Sequence, residues 1–597
     1  MPGLTLVHNT EDSISARSVL ASLAAVPTTR VSPELSHDLL YACENTVLTI
    51  SHYPGYPWHW VENERVQVAL EGHIYGYGSS NSDPLCETAY KIISSSSIAD
   101  AVASWLPTID GDFVLWIRSK ESGRMVLLND VLGRLPLYSS RCQSSNEATV
   151  SRTVQVASHR AGAQHADSHA MAEVLLFGYP LGSRTLFDGV HRLAPATIVL
   201  PQARTTVSVL DPINREHSSH HRPLSTNAYL LAERFQRACK QRASVTSSSV
   251  LALSGGLDSR SVLAGLHRSS DTDALHGITF AQSDESNAED VNYAESIANT
   301  FGIPWSLVTL AAPSVSARQT LLHLKGGLNS LQYSFMVDFL YSVRSKFGST
   351  SALFTGDGGD KMLPDLRPAL FLPNASAFLS YLIRVQGQMP LKTAAALVGF
   401  CPSSLANHLL DHITSYPAST WTDRYTAFLL RERAFSGFAE GEDRNRHFLW
   451  HMAPFYAWPV VALSLEIPSS QKSHERLYEA FLCALDPQLK SVSRSDHARA
   501  KPGSPLYRLI IRLRHLIHQY PSLHASLRYL RHGSGSTDVN AGFATLIRDQ
   551  ANSCPAIRSS LSVDSIDRIL SGQLPTSTQG VQSLLTLTSF LESYTRE

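Results

Sequence analysis

The chain has 597 residues, of which 43% are hydrophobic and 17% are charged, and its formal net charge is −1. This length is enough for several domains of ordinary globular composition. The balanced charge argues against nucleic acid as the main partner. No apolar run is long enough for a membrane span and the first residues lack a signal-peptide pattern, so we expect a cytoplasmic protein without a membrane span.

Seven cysteines are scattered along the chain without a CxxC pair. They are Cys43, Cys86, Cys142, Cys239, Cys401, Cys483 and Cys554. This spacing argues against a zinc site or a disulfide framework and fits a reducing compartment.

Residues 1–205 contain short apolar runs separated by Gly, Asp, Asn and Ser, which predicts strands and turns with a few helices. Examples are Val66–Leu70, Phe113–Ile117 and Met125–Leu128. Residues 206–226 are polar and predict a linker. Its His217, His220 and His221 are interpreted as solvated rather than metal-binding, because no Cys or carboxylate cluster accompanies them.

Residues 227–530 alternate helical periods with buried-strand runs, which predicts βαβ units and a parallel sheet with helices on both faces. The runs are Ser249–Leu253, Gly277–Phe280, Trp305–Leu310 and Ala352–Phe354. After about residue 365 the pattern is almost entirely helical. Residues 531–597 predict a helical extension that either packs on this domain or forms part of a larger substrate cleft, and packing is the preferred interpretation.

The stretch Ser254–Ser259, SGGLDS, directly follows the first of these strands and opens a helix. A glycine-rich turn at a helix N-terminus presents backbone N–H groups and a positive helix end to an anion. The carboxylate of Asp258 beside a phosphate is repulsive unless a divalent cation lies between them. The stretch therefore predicts a site for a Mg²⁺-bound nucleotide, although it is not a Walker A motif.

A second loop, Thr355–Lys361, reads TGDGGDK and follows the strand Ala352–Phe354. Ligands of open α/β sheets bind at the carboxyl ends of the strands. Two acidic loops at neighbouring strand ends can share the metal ions of one nucleotide.

These motifs resemble those of the asparagine synthetase superfamily, whose synthetase domain is a PP-loop ATP pyrophosphatase fold. The family's phosphate loop reads SGGLDS and its acidic loop reads [ST]GEGxDE. A late R-x-K-x-G element resembles residues 499–503, RAKPG. The resemblance implies ATP and Mg²⁺, with Leu253, Ser254, Gly255, Gly256, Asp258, Ser259, Thr279 and Gly356 at the nucleotide. It implies that Asp258 and Asp360 are the metal ligands and that Lys501 is the cation that stabilises charge during adenylation.

The N-terminal half resembles the family's Ntn-type glutaminase domain. The matching stretches are 71–76 (EGHIYG), 111–113 (GDF), 130–138 (DVLGRLPLY) and 184–190 (RTLFDGV). The resemblance implies an Ntn-hydrolase-like αββα sandwich followed by an adenine nucleotide α-hydrolase-like domain with a parallel sheet and a largely helical C-terminal part. It covers most of the chain.

Several departures from the family pattern bear on function. A working glutaminase needs a Cys freed at its N-terminus, whereas Met1 is followed by Pro2 here, and Glu71 and His73 replace the Asn and Glu of NGEIYN. We therefore expect glutamine-independent chemistry. Lys361 replaces an acidic residue, and three roles stay open for it: facing pyrophosphate, facing a substrate carboxylate, or facing solvent. Residues 454–457, PFYA, replace PFLD, which predicts a different acceptor pocket.

The resemblance implies formation of an acyl-adenylate with release of pyrophosphate, and then capture by an amine with release of AMP. Asp357 replaces the family's usual Glu and is predicted to accept a proton from the amine or to orient it. The leading hypothesis is a lasso-type macrolactam cyclase that acts on a precursor peptide, with a leader-peptide protease and a small leader-binding protein as partners. Alternatives are a β-lactam-synthetase-like enzyme, an ammonia-dependent asparagine synthetase, and a non-catalytic nucleotide-binding accessory protein.

Overall fold

A computed structural model gives the structure of the chain. It describes residues 1–26, 32–76, 82–142, 144–163, 165–213, 222–268, 275–282, 288–490 and 537–594, together with 505, 506, 509 and 513. All structural statements below refer to these described residues.

The N-terminal part contains two six-stranded sheets. Its strands are β1 (Gly3–His8), β2 (Ser36–Cys43), β3 (Thr46–His52), β4 (Trp58–Glu62), β5 (Val66–Tyr75), β6 (Asp110–Ser119), β7 (Met125–Asn129), β8 (Tyr138–Arg141), β9 (Ala148–Ser151), β10 (Val190–Arg192), β11 (Thr197–Leu200) and β12 (Thr205–Ser208). One sheet has the order β10-β8-β9-β1-β3-β2 and the other β12-β11-β7-β6-β5-β4. The strand pairs are antiparallel, for example Leu6 opposite Leu48 in β1 and β3.

Helices cover the outer faces of both sheets, which gives the predicted αββα order. They are α1 (Ala16–Ala24), α2 (Ser82–Ser94), α3 (Ile98–Trp105), α4 (Val154–Ala161) and α5 (Ser168–Phe177). Leu4, Leu48, Val114 and Trp116 belong to one core cluster between the two sheets. Alternating strand residues such as Phe113 and Leu115 instead pack in a second cluster with α2 and α3, as the two-residue period of a strand requires.

The C-terminal part contains a five-stranded parallel sheet of order β15-β14-β13-β16-β17. Its strands are β13 (Ser249–Ala252), β14 (Leu275–Gln282), β15 (Trp305–Leu310), β16 (Ala352–Phe354) and β17 (Trp450–Met452). Four of them lie where the sequence predicts strands. Val250 and Leu353 pack on one face, and Leu251 and Phe354 pack in a different cluster on the other. The predicted parallel sheet with helices on both faces is therefore confirmed.

The helices of this part are mostly short and amphipathic. They are α6 (Leu224–Ala243), α7 (Leu257–His267), α8 (Ala288–Phe301), α9 (Val315–Lys325), α10 (Phe335–Phe347), α11 (Gly359–Met362), α12 (Ala375–Gln386), α13 (Leu391–Val398), α14 (Pro402–Thr414), α15 (Trp421–Phe428), α16 (Phe438–Arg446), α17 (Trp458–Glu466), α18 (Ser469–Lys472), α19 (Arg476–Leu485), α20 (Thr537–Ser553), α21 (Pro555–Ser560), α22 (Val563–Leu570) and α23 (Thr578–Tyr594). A π-helical segment, Leu429–Gly437, joins α15 to α16.

Helix α16 packs between the two parts of the chain, and its polar residues are almost all buried. Tyr138, at the start of β8, donates to the carboxylate of Glu440 in α16, at 2.8 Å to Oε2. Helix α23 packs against α5 and α20. Within the described ranges, no helix has both the length and the apolar character needed to cross a membrane.

Candidate active site

The phosphate loop lies between the end of β13 and the start of α7, as the sequence predicts. Ser254 N–H donates to Ser259 Oγ at 3.1 Å, and Gly256 N–H donates to Ser254 Oγ at 3.2 Å. Gly255 N–H donates to Asp290 Oδ1 at 2.8 Å. These three N–H groups are therefore engaged within the protein in this structure. Nearby hydroxyls and a carboxylate accept their hydrogen bonds, because buried backbone donors need acceptors.

A buried arginine supports the loop from behind. Arg260 donates from Nε to Gly256 O at 3.0 Å and from Nη2 to Gly255 O at 2.8 Å. A third bond runs from Nη1 to Leu489 O at 3.2 Å. These bonds fix the carbonyls on one side of the loop. The N-terminus of α7 then faces the carboxyl ends of the strands, where ligands of open α/β sheets bind.

The acidic loop directly contacts the phosphate loop, and the contact requires glycine. A Cβ on Gly359 would lie 2.3 Å from Asp258 Oδ1, and one on Gly356 would lie 2.6 Å from Ser259 N. Gly358 has φ +96°, and the ring of Tyr456 packs against it. Tyr456 lies in the segment that replaces PFLD, so this replacement shapes the acidic loop itself.

The two predicted metal ligands, Asp258 and Asp360, lie on these touching loops. Asp258 accepts a hydrogen bond from Tyr478 OH, and Asp360 forms an ion pair with Lys361. The described residues contain no group of three or more His, Cys, Asp and Glu that could hold a metal ion. Mg²⁺ sites of nucleotide enzymes commonly use one or two carboxylates and complete the shell with phosphates and water. These two carboxylates therefore fit Mg²⁺ that arrives with a nucleotide.

Lys361 is buried, with a side chain only 7% exposed, so a solvent-facing role for it is wrong. Its ammonium lies beside Asp360 and 5.4 Å from the ring centroid of Phe438. The lysine thus neutralises part of the acidic charge of the loop.

Leu253 directly follows β13, and Thr279 lies within the neighbouring strand β14. The Thr279 hydroxyl donates to Leu253 O at 2.7 Å and accepts from Trp305 Nε1 at 2.9 Å. That hydroxyl is engaged within the fold, so any contact of Thr279 with a nucleotide has to come from its other atoms.

Some predicted residues lie outside the described residues. These are Lys501 with the rest of 499–503, and the linker histidines His217, His220 and His221. Their roles stay predictions.

Asp357 lies at the end of β16 beside a histidine that sequence reasoning missed. Thr355 Oγ1 donates to Asp357 Oδ2 at 2.7 Å and accepts from His451 Nε2 at 2.9 Å. His451 Nε2 is 3.3 Å from Asp357 Oδ2, and its Nδ1 is 3.8 Å from Glu442 Oε2. His451 comes from β17, a strand of three residues at the edge of the sheet. An isolated strand this short gives almost no periodic signal in the sequence.

The pKa values in this group have clear causes. Burial lowers the pKa of His451 to about 4, so the ring is neutral at neutral pH. Burial alone would raise the pKa of Asp357, but hydrogen bonds from His451 and Thr355 outweigh it and hold the pKa below its usual value. Asp357 is therefore an anion at neutral pH, and half of its side-chain surface is accessible. It can accept a proton or hold an ammonium group.

Asp357 opens into a cavity of about 530 Å³, which we call the Asp357 cavity. Six amide side chains line it: Asn329, Gln332, Gln386, Gln388, Asn445 and Gln579. Three arginines also line it: Arg384, Arg433 and Arg444. Ser577 and Gln579, which come from the C-terminal segment, contribute to the wall, so this segment both packs on the domain and shapes the cavity.

In the N-terminal part, Glu71 is completely buried and fully hydrogen-bonded. Its carboxylate accepts from Leu4 N–H at 2.8 Å, Tyr56 OH at 2.5 Å and Arg152 Nε at 2.8 Å. Arg152 in turn forms an ion pair with Asp443 of α16. A structural ion network therefore occupies the position where the sequence departs from a working glutaminase.

Two family models match the chain. Residues 54–209 match the glutamine amidotransferase domain, and residues 230–378 match asparagine synthase. No curated protein matches the chain.

Solved structures with similarity include the glutamine phosphoribosylpyrophosphate (PRPP) amidotransferase from B. subtilis complexed with ADP and GMP. Its sequence is 11% identical to this chain. The match covers 61% of this chain and 83% of the amidotransferase chain, with a TM-score of 0.23. A second is the structure of the allosteric regulatory enzyme of purine biosynthesis. It is 11% identical, the match covers 64% of this chain and 77% of the second protein's chain, and the TM-score is 0.23. At these TM-scores the two similarities carry no argument about this chain.

Proposed function

We propose that this chain, which matches the glutamine amidotransferase domain and asparagine synthase models, is an ATP-dependent ligase that closes an amide bond within a peptide through an acyl-adenylate. A substrate carboxylate oxygen attacks the α-phosphorus of ATP, and the bond to pyrophosphate breaks. An amine nitrogen then attacks the acyl carbon, the bond to AMP breaks, and the nitrogen loses its proton. Glutamine takes no part in either step.

The first step uses the two touching loops. The phosphate loop and the N-terminus of α7 bind phosphate oxygens, for which Asp290 has to release Gly255 N–H. Asp258 and Asp360 would hold Mg²⁺, which supplies positive charge to the phosphates when bound. Lys501 is proposed to add a further cation there, by resemblance to the family.

The second step uses Asp357. Its ionised carboxylate accepts the proton that the attacking amine loses, and Thr355 and His451 fix its orientation. An α-amino group has a pKa near 8, about two units below that of a lysine amine. A useful fraction of such an amine is therefore already uncharged at neutral pH. For this reason a carboxylate with a low pKa is a sufficient proton acceptor for the N-terminal amine of a peptide.

The Asp357 cavity is the observation that carries the peptide proposal. Its volume of about 530 Å³ lies within the range that is usual for clefts that bury a drug-sized ligand, roughly 300–1,000 Å³. Side-chain amides both donate and accept, and they suit the alternating N–H and C=O groups of a peptide backbone. We propose macrolactam closure of a lasso-type precursor peptide, with a leader-peptide protease and a small leader-binding protein as partners.

The test follows pyrophosphate and AMP separately, with Mg-ATP and the leaderless core of a short peptide encoded beside the gene. We expect both products only when the peptide is present. Asp258→Ala should abolish pyrophosphate release, whereas Asp357→Asn should keep ATP–pyrophosphate exchange and slow amide formation by about 10²–10⁴-fold. Pyrophosphate release that survives Asp258→Ala would refute the metal assignment, and unaltered closure by Asp357→Asn would remove Asp357 from its role.

Small molecules provide the discriminating control. Turnover of aspartate with ammonia, or of a β-amino acid without any peptide, would replace the cyclase proposal with the asparagine synthetase or the β-lactam-synthetase alternative. ATP turnover with none of these substrates would contradict amide formation altogether.

A further inference from the structure

The Asp357 cavity contains a buried arginine that lacks an acidic partner. Arg444 in α16 is 5% exposed. Its Nη1 donates to Asn329 Oδ1 at 3.1 Å, and its Nη2 and Nε donate to Asn445 Oδ1 at 2.8 and 3.1 Å. Among the described residues, no carboxylate oxygen lies within 4.0 Å of its side-chain nitrogens.

The buried cations around Arg444 are treated differently by the fold. Arg152 pairs with Glu71 and Asp443, and Lys325 lies 2.5 Å from Glu440 and 2.6 Å from Asp443. A buried charge costs several kcal/mol unless a counter-charge compensates it. The chain thus pairs Arg152 and Lys325 directly with carboxylates. Arg444 instead donates only to amide oxygens, and the charge of Asp357 acts on it from beyond ion-pair distance.

Arg444 is positioned to meet a ligand. It lines the cavity that also contains Asp357, and Gly441, one helical turn before it, lines the same cavity. Burial lowers the pKa of Arg444 to about 10, so the guanidinium stays charged at neutral pH. A planar guanidinium binds a carboxylate through two parallel hydrogen bonds.

We infer that the Asp357 cavity recognises a carboxylate of the peptide substrate, and that Arg444 is the residue that binds it. The carboxylate is either an acidic side chain or the C-terminus of the peptide, because both present the same group. The inference rests on the proposed function for its claim that the cavity is the substrate site. Recognition itself requires neither ATP nor catalysis, so the two proposals can fail separately.

The test measures binding of short peptides to the full chain by ligand-observed NMR. Gly-Asp-NH₂ carries a side-chain carboxylate, Gly-Asn carries a C-terminal carboxylate, and Gly-Asn-NH₂ carries none. We expect one or both of the acids to bind more tightly than the neutral peptide by about 10–100-fold, the value of one charge-assisted hydrogen-bond pair. The acid that shows the preference identifies the source of the carboxylate.

Three variants decide the role of Arg444. Arg444→Gln should bring the acids to the affinity of the neutral peptide, and Arg444→Lys should restore part of the preference. Asn329→Asp should also remove the preference, because its carboxylate would compensate Arg444 from within, and this variant keeps the test valid if Arg444→Gln fails to fold. Arg384→Gln, at an exposed arginine of the same cavity, should keep the preference.

Two results would overturn the inference. One is a wild-type protein with no preference for either acid, including one that binds none of the three peptides. The other is a preference that survives both Arg444→Gln and Asn329→Asp. Amide formation with an unchanged peptide preference in these variants would leave the ligase proposal standing and reject only the role of Arg444.

Discussion

At the scale of single residues, the interaction between Asp357 and His451 decides what Asp357 can do. The histidine is fully buried, and its Nε2–H donates to Thr355 Oγ1, which itself donates to Asp357. The neutral ring therefore does not replace Asp357 as a base. It holds the carboxylate in one orientation and keeps it ionised, which makes His451 a positioning residue.

Replacing His451 should affect only the amide-forming step. We expect His451→Leu to slow closure by about 10–100-fold, the effect of removing roughly one to two hydrogen bonds from the proton acceptor, with ATP–pyrophosphate exchange unchanged. The folded pKa of Asp357 should rise, because burial raises it and the compensating hydrogen bond is lost. The acidic side, or acid limb, of the pH–rate profile of amide formation should therefore shift to higher pH.

The conservative variant distinguishes positioning from simple packing. Gln at residue 451 can place an N–H near the position of Nε2, so His451→Gln should recover much of the rate and return the acid limb toward its wild-type pH. An acid limb that stays in place in His451→Leu would show that His451 does not tune Asp357.

At the scale of elements, α16 is unusual because it is charged and buried at the same time. Its sequence, FAEGEDRNR, would be typical of a solvent-exposed helix, yet Glu440, Asp443 and Arg446 are all buried. Their partners, such as Arg152 and Lys325, come from far away in the chain. Removal of one member of this network leaves an uncompensated buried charge. This destabilises the folded state more than replacement of the whole network by apolar residues would.

The acidic residue at the centre of α16 should therefore control stability. Burial alone would raise the pKa of Asp443, but the charges of Arg152 and Lys325 outweigh it and lower the pKa. We expect Asp443→Asn to lower the free energy of unfolding at pH 7 by about 3–5 kcal/mol, as measured by urea titration.

The pH dependence provides a second measurement. Because the folded pKa of Asp443 is depressed, its contribution is complete above the unfolded pKa of about 4 and is lost as the pH falls further toward the folded pKa. Asp443→Asn should lose that part of the acid sensitivity. Asp567→Asn, at an exposed residue 3.7 Å from Arg548, should change stability by less than about 0.5 kcal/mol. Equal effects of the two variants would contradict the role of the network.

At the scale of the whole molecule, the architecture was predictable and several contacts were not. The spacing of the apolar residues predicted the strands of the N-terminal part and the parallel sheet with helices of the C-terminal part. The run Trp305–Leu310, for example, coincides with β15. The position of the two loops after neighbouring strands predicted that they lie close together, and β13 and β16 do pair directly. The sequence did not reveal His451, the burial of Lys361 or the setting of Arg444. Each depends on partners brought together from distant parts of the chain, which local periodicity does not encode.

The same scale decides how the N-terminal part takes part in the reaction. Glu71, Arg152 and Asp443 join it to α16 through buried ion pairs. Its three cysteines lie elsewhere: Cys43 at the end of β2, Cys86 in α2 and Cys142 after β8. We therefore interpret this part as a structural partner of the ligase rather than as a source of ammonia.

A triple variant tests this interpretation on the full chain. Hydrogen bonds with Ser144 and Ser145 lower the pKa of Cys142 to about 7, so a substantial part of it is thiolate at neutral pH and it has to be included. We expect the variant with Cys43, Cys86 and Cys142 all replaced by Ala to keep its peptide-dependent AMP release, and we expect neither protein to release ammonia from glutamine. The double variant Cys401→Ala and Cys483→Ala, at exposed residues of the C-terminal part, is the matched control. Ammonia release by the wild type that disappears in the triple variant would show a working glutaminase and would require a route for ammonia through the buried network around α16.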